Sequence, residues 1–275
     1  NDNINKPNIP VKIQSESEPI IGVKFVDPKN NDFITCAING SLKKWDINNY
    51  GIKLYHDGIP NYSSEIHAKS FDFNDDIILI GWSNGIIQAY NANVSNDKLW
   101  SIKDAHNTGL SNIKLSYNEK YIISSGYSGL LRVWDLRFRK LICNLKEHTN
   151  YINKIELYND SKHCLTCSKD RSFICWDLSQ QKKVSCHRQN MGNINDIILN
   201  DNQDIIITCN SDKSIKYFDL RQNVPINIIK NAHNGNINKI RLSNNDNNVL
   251  ASIADDKTIK LWDFKTQKLI NQKYT

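Results

Sequence analysis

The sequence predicts an all-β fold in which four-stranded antiparallel blades stack around a central axis, a β-propeller. Three observations predict it. Six aromatic positions, Trp45, Tyr90, Trp134, Trp176, Phe218 and Trp262, recur 45, 44, 42, 42 and 44 residues apart, close to the period of a four-stranded blade, about 40–45 residues. Two further columns keep the same register. Ten residues before each aromatic stand Thr35, Ile80, Ser124, Thr166, Thr208 and Ser252, and six before stand Asn39, Asn84, Ser128, Asp170, Asp212 and Asp256. Within each repeat, short β-rich runs such as Tyr121 to Ser125 and Leu130 to Trp134 are separated by turn residues, Gly129 or the Asp170-Arg171 pair.

A lone four-stranded sheet cannot bury both faces, and radial stacking buries them while leaving only short edges. The first strand of each repeat alternates as that arrangement demands, with Ile113/Leu115, Ile155/Leu157, Ile197/Leu199 and Ile240/Leu242 on one side. The last repeat ends in an outer strand near Lys268 to Gln272. An extra strand, Val11 to Gln14, precedes the first repeat and could close the ring by pairing with the last. Six repeats are readable and a seventh blade is left open. The expected organisation is an N-terminal extension over 1–10 and one propeller domain over 11–275.

Composition bounds the function classes. The 275 residues are 39% hydrophobic and 23% charged, with a net charge of +6. No apolar run approaches the roughly 18 residues of a membrane span, and no signal peptide is visible. Seven cysteines without a secretory signal favour free thiols in a reducing compartment. The Lys and Arg residues are dispersed, which argues for a solvated surface over a nucleic-acid footprint.

The columns resemble the WD-repeat family. There, a His, a Ser or Thr, an Asp and a Trp form a hydrogen-bonded tetrad inside each blade. The resemblance implies such tetrads at His148, Thr166, Asp170 and Trp176 in blade four and at His233, Ser252, Asp256 and Trp262 in blade six. Blade three has His106, Ser124 and Trp134, with Ser128 where Asp is expected. Within the family, Gly81-Trp82-Ser83-Asn84-Gly85, Arg132-Val133-Trp134 and Ile174-Cys175-Trp176-Asp177-Leu178 are similar to repeats in the C-terminal propellers of the two-propeller cilia- and flagella-associated members. Those propellers have seven repeats. That likeness implies a structural protein of the cytoskeleton, seated on tubulin and other inner proteins within axonemal doublet microtubules.

Chemistry is weighed against the repeat. The histidines and Asp170 and Asp256 sit in columns with a buried hydrogen-bonding task. Cys164 and Cys167 form a C-x-x-C, a weak zinc or redox signal. Cys36, Cys167 and Cys209, however, each lie nine residues before their blade's aromatic, which marks a small buried hydrophobe. Neither a P-loop, a nucleophile elbow nor an H-E-x-x-H is present. The expectation is a protein-binding scaffold, not an enzyme, with no cofactor, metal, small-molecule substrate, nucleic acid or membrane partner. A rival reading is a substrate receptor of a cullin-type ubiquitin ligase, from Trp134-Asp135-Leu136-Arg137, which fits W-D-x-R, and Phe218-Asp219-Leu220-Arg221, which nearly does. A generic scaffold of another complex is the third reading. The residues before the Asp column place Ile38, Trp82 and Tyr127 near one rim of blades one to three. They are candidate protein-binding residues, with Arg132, Lys169 and Arg171 as polar neighbours.

Overall fold

In the computed structural model, which describes residues 18–27, 32–48, 51–58, 66–188, 191–222, 224–243 and 248–274, the six repeats form six four-stranded sheets. Each is antiparallel and ordered as its strands follow in sequence. The blades span 20–56, 68–102, 110–146, 152–188, 194–229 and 237–274. Blade four shows the plan. Its strands are Ile152–Leu157, His163–Ser168, Ser172–Asp177 and Lys182–Arg188. The strand expected at Val11 to Gln14 and the extension over 1–10 lie outside the described residues.

The turn between second and third strands explains part of the sequence pattern. One residue past the Asp column, Gly40, Gly85 and Gly129 hold φ of 83°, 84° and 80°, and Arg171, Lys213 and Lys257 hold 68°, 66° and 59°. The turn needs a left-handed residue there, which glycine accepts without steric cost. The column residue itself caps the turn. Asn39, Asn84, Asp170, Asp212 and Asp256 each accept, through Oδ1, the backbone N–H two residues on, at 2.9, 3.2, 2.9, 3.1 and 3.1 Å.

Blades pack through alternating strand faces. Five apolar clusters join blades one to two, two to three, three to four, four to five, and five to six. Among the described residues no such cluster joins blade six to blade one. The flanks that would meet there are exposed. Val23 is 53% exposed, whereas Ile113, Ile155, Ile197 and Ile240 in the same register are fully buried. Ile259 is 37% exposed, against 0% for Leu42, Ile87, Leu131, Phe173 and Ile215, each three residues before its blade's aromatic.

The first strands line the axis, and their inward positions follow the ring register. Lys24, Asp72, Lys114, Glu156, Ile198 and Arg241 pair across from Ile34, Leu79, Ile123, Leu165, Ile207 and Ala251. Four successive blades therefore present cation, acid, cation, acid to the channel. Asp72 binds Lys24 at 2.6 Å, so neighbouring blades are tied by charge as well as by apolar packing. Asn153 and Asn195 add direct links, donating to the Ile194 and Ile237 carbonyls of the next blade at 2.6 and 2.8 Å.

Candidate functional site

The tetrads assemble as the resemblance implies. In blade four, the Trp176 indole N–H donates to Thr166 Oγ1 at 2.8 Å, and Thr166 meets His148 Nε2 at 2.8 Å. His148 Nδ1 meets Asp170 Oδ2 at 2.8 Å. With Nδ1–H facing the carboxylate, Nε2 is left to accept the threonine hydroxyl proton, so one imidazole tautomer satisfies the whole chain. Burial pushes the Asp170 carboxyl up, yet hydrogen bonds from His148 and Ser172 prevail and hold it well below the usual carboxylate range. Blade six repeats the geometry. Trp262 donates to Ser252 at 2.8 Å, Ser252 meets His233 Nε2 at 2.7 Å, and His233 Nδ1 lies 3.1 Å from Asp256 Oδ2.

Blade three stops one link short. His106 Nε2 and Trp134 both reach the Ser124 hydroxyl at 2.8 Å. His106 Nδ1 is buried without a partner among the described residues. Burial, with Arg132 adding to it, lowers the His106 pKa to about 4. Among the described residues, blade one keeps only the last bond, Trp45 to Thr35 at 3.0 Å.

Spacing to the tetrads missed a fifth member. Ser172 Oγ lies 2.5 Å from Asp170 Oδ1 and 3.2 Å from His148 Nδ1. Thr258 Oγ1 lies 2.7 Å from Asp256 Oδ1 and 3.0 Å from His233 Nδ1. The signal was a hydroxyl residue two places after the acid, also present at Ser214.

The cysteine pair separates. Cys164 belongs to the apolar cluster shared with blade three and Cys167 to the one shared with blade five, because residues three apart on a strand face opposite sides. Burial pushes both thiols well up, so neither is poised as a thiolate. The W-D-x-R arginines also have local partners. Arg221 pairs with Asp219 at 2.5 Å, and Arg137 lies over the ring of Phe138 at 5.5 Å.

The candidate binding rim needs one correction. Trp82 is 1% exposed and packs with Ile34, Cys36 and Leu42 of blade one. Its six-membered ring lies over Gly40, where an added Cβ would come within 2.3 Å of Trp82. The bare glycine makes room for the indole, so Trp82 is interblade core and leaves the surface. Ile38 is half-buried in its turn. Arg132 is tied down locally, donating to the Ala105 carbonyl at 2.5 Å and to Asn144 Oδ1 at 2.8 Å. Tyr127 remains half-exposed, and it has a partner the rim pattern did not include. Its ring stacks on Tyr151 at 4.9 Å, and Lys169 Nζ lies 4.9 Å from the Tyr151 centroid. Lys169 and Arg171 are exposed beside them. The rim of blades three and four therefore carries an aromatic pair framed by cations.

A β-propeller whose blades are locked by such internal networks is an interaction domain in its general class. The family comparison agrees. The WD domain, G-beta repeat model matches residues 97–135, 139–177, 178–219 and 224–263, more than half of the chain. The chain belongs to the WD40 family. Blades one and two fall largely outside the matched segments. No curated protein matches the chain. Among solved structures, the computationally designed Ika8 protein is similar in fold, with a TM-score of 0.72 and 18% identity over 92% of this chain and 74% of that one.

Proposed function

We propose that this chain is a non-catalytic scaffold that binds an acidic protein surface through the rim of blades three and four, and that its setting is the axonemal doublet microtubule, with tubulin as the partner. WD40 propellers generally serve as protein-interaction scaffolds, and a rigid ring presents two faces and an edge without having to move. The observation that carries the reading is the stacked Tyr127–Tyr151 pair beside Lys169 and Arg171. Aromatic rings supply contact area at low entropic cost, and aromatic and Arg side chains dominate interface energetics. The flanking cations steer an acidic partner. The axonemal setting is supported by the segments similar to the cilia- and flagella-associated members.

The test is affinity capture from ciliated cells and from matched cells without cilia, using the wild type and a Tyr127→Ala/Lys169→Glu double variant. Tubulin and axonemal proteins captured by the wild type and lost with the variant support the reading. A ligase adaptor or an RNA-processing set captured instead overturns it, as does capture that the double variant leaves unchanged.

A further inference from the structure

The channel on the propeller axis holds more cation than its carboxylates neutralise. A cavity of about 280 Å³ lies among the first strands, and Lys24, Lys69, Lys114, Lys154, Lys239 and Arg241 all line it. Three acids stand among them on the first strands of blades two, four and five, and each already has a cation. Asp72 takes Lys24 at 2.6 Å. Glu156 takes Lys154 at 3.1 Å. Asp196, whose side chain is wholly buried, takes Lys154 at 3.0 Å and Arg241 at 2.9 Å. Six cations against three carboxylates leave a formal excess of three positive charges. Among the described residues, Lys69, Lys114 and Lys239 make no ion pair or hydrogen bond.

That excess gathers on one axis, in a cavity that opens to solvent at Lys239 and Arg241. Like charges held together repel one another. Against the effect of burial, Asp72 and Glu156 draw on Lys114 and raise its pKa, and Asp196 draws on Lys239, but these three carboxylates are shared among six cations, so the formal excess of three remains. Burial already lowers the Lys24 pKa to about 8, against the pull of Asp72. The three unpaired amines come from three different blades, two, three and six, so an anion on the axis would meet them from several sides. Lysine is a point-charge donor suited to phosphate oxygens.

We infer that the axial channel is a binding site for a small multivalent phosphate anion, with Lys69, Lys114 and Lys239 as its principal ligands. The site is separate from the rim of blades three and four, so either assignment stands if the other fails. Occupancy would link blades two, three and six through one ligand and stabilise the ring against opening, since a ligand bound only by the folded state adds to its stability.

Inorganic tripolyphosphate is the probe, titrated by calorimetry and by thermal shift at constant ionic strength with sodium chloride as the reference. The expected result is saturable binding at one site per chain, a rise in melting temperature beyond that in matched chloride, and affinity that weakens as salt is raised. Lys69→Ala and Lys239→Ala should each weaken binding by about tenfold or more, the equivalent of roughly 1.4 kcal/mol. Lys239 is exposed, so its variant keeps the test informative where replacing Lys114 disturbs folding. Lys140→Ala, on the outer surface, should leave affinity unchanged. Absence of saturable binding, or equal affinity in the Lys69 and Lys239 variants, overturns the site. Displacement of tripolyphosphate by a polyglutamate peptide at lower concentration overturns the ligand class in favour of an acidic protein segment.

Discussion

Replacing Asp170 with Ala removes the acceptor for four donors at once, and the structure fixes what each loss costs. The carboxylate receives His148 Nδ1 at 2.8 Å, Thr149 N at 3.0 Å, Ser172 N at 2.9 Å and Ser172 Oγ at 2.5 Å. These losses do not simply add. Thr149 is exposed, so water replaces its acceptor. Ser172 Oγ, already 3.2 Å from His148 Nδ1, can turn to accept the imidazole proton. Ser172 itself is 1% exposed, so its backbone N–H is stranded. One stranded buried donor and one weakened link give a loss of roughly 3 kcal/mol, about a hundredfold in the folding equilibrium. The internal control is Asp212→Ala in blade five, where the carboxylate caps Ser214 and pairs with Lys216 at 3.0 Å and no histidine tetrad stands behind it among the described residues. That change should cost about 1 kcal/mol. Urea denaturation followed by circular dichroism measures both. Equal losses at the two positions would mean that the histidine link adds nothing to the turn cap, and the tetrad argument would fail.

Blade three supplies the reverse experiment. Ser128→Asp offers His106 Nδ1 its missing acceptor and should stabilise the chain by about 1 kcal/mol, with a raised His106 pKa in an NMR titration. In the wild type, the folded pKa of about 4 lies below the unfolded value near 6.5. The unfolded state therefore binds the proton first. Stability from this group is complete above about pH 6.5 and falls as the pH drops toward 4, by roughly 3 kcal/mol in all. Denaturation curves of the Ser128→Asp variant should show a shallower loss across that window. Trp82→Ala should cost on the order of 3–5 kcal/mol as a core truncation. At the bare flank, Ile259→Ala should cost under about 1 kcal/mol while Ile215→Ala, in the same column but fully buried, costs several times more. Thermal melts of the three variants rank them, and a large loss at Ile259 would show that its flank is covered in solution. Chelators should leave the melting temperature unchanged. A thiol reagent should modify Cys186, the exposed cysteine, and leave Cys164 and Cys167 unreacted until unfolding.

The sequence alone was enough to find six repeats, though it left a seventh blade open, because a propeller blade is a local object. Its strands are consecutive, its turns short, and its tetrad closes within about 30 residues, so each contact leaves a fixed interval in the chain. Spacing aligned the columns of His148, Thr166, Asp170 and Trp176, and their resemblance to the WD-repeat family implied which of them pair. The cysteine column was legible for the same reason, since period-two alternation decides which way a strand residue points. What lies between blades was not legible in this way. Trp82 occupies a position at the turn of its own blade, but its ring is buried because Gly40, in a different repeat, has no side chain. Tyr127 and Tyr151 stack although they stand in different columns, so no periodic comparison aligns them. Ile259 follows the apolar pattern of every other blade, and only the arrangement of blades shows that nothing among the described residues covers it. The channel charge belongs to this second group. Lys24, Asp72, Lys114 and Glu156 stand 42 to 48 residues apart in sequence, each an ordinary solvated residue in its own strand. The closing of the strands around one axis brings their charges within reach of each other, and that closure is a property of the tertiary structure alone.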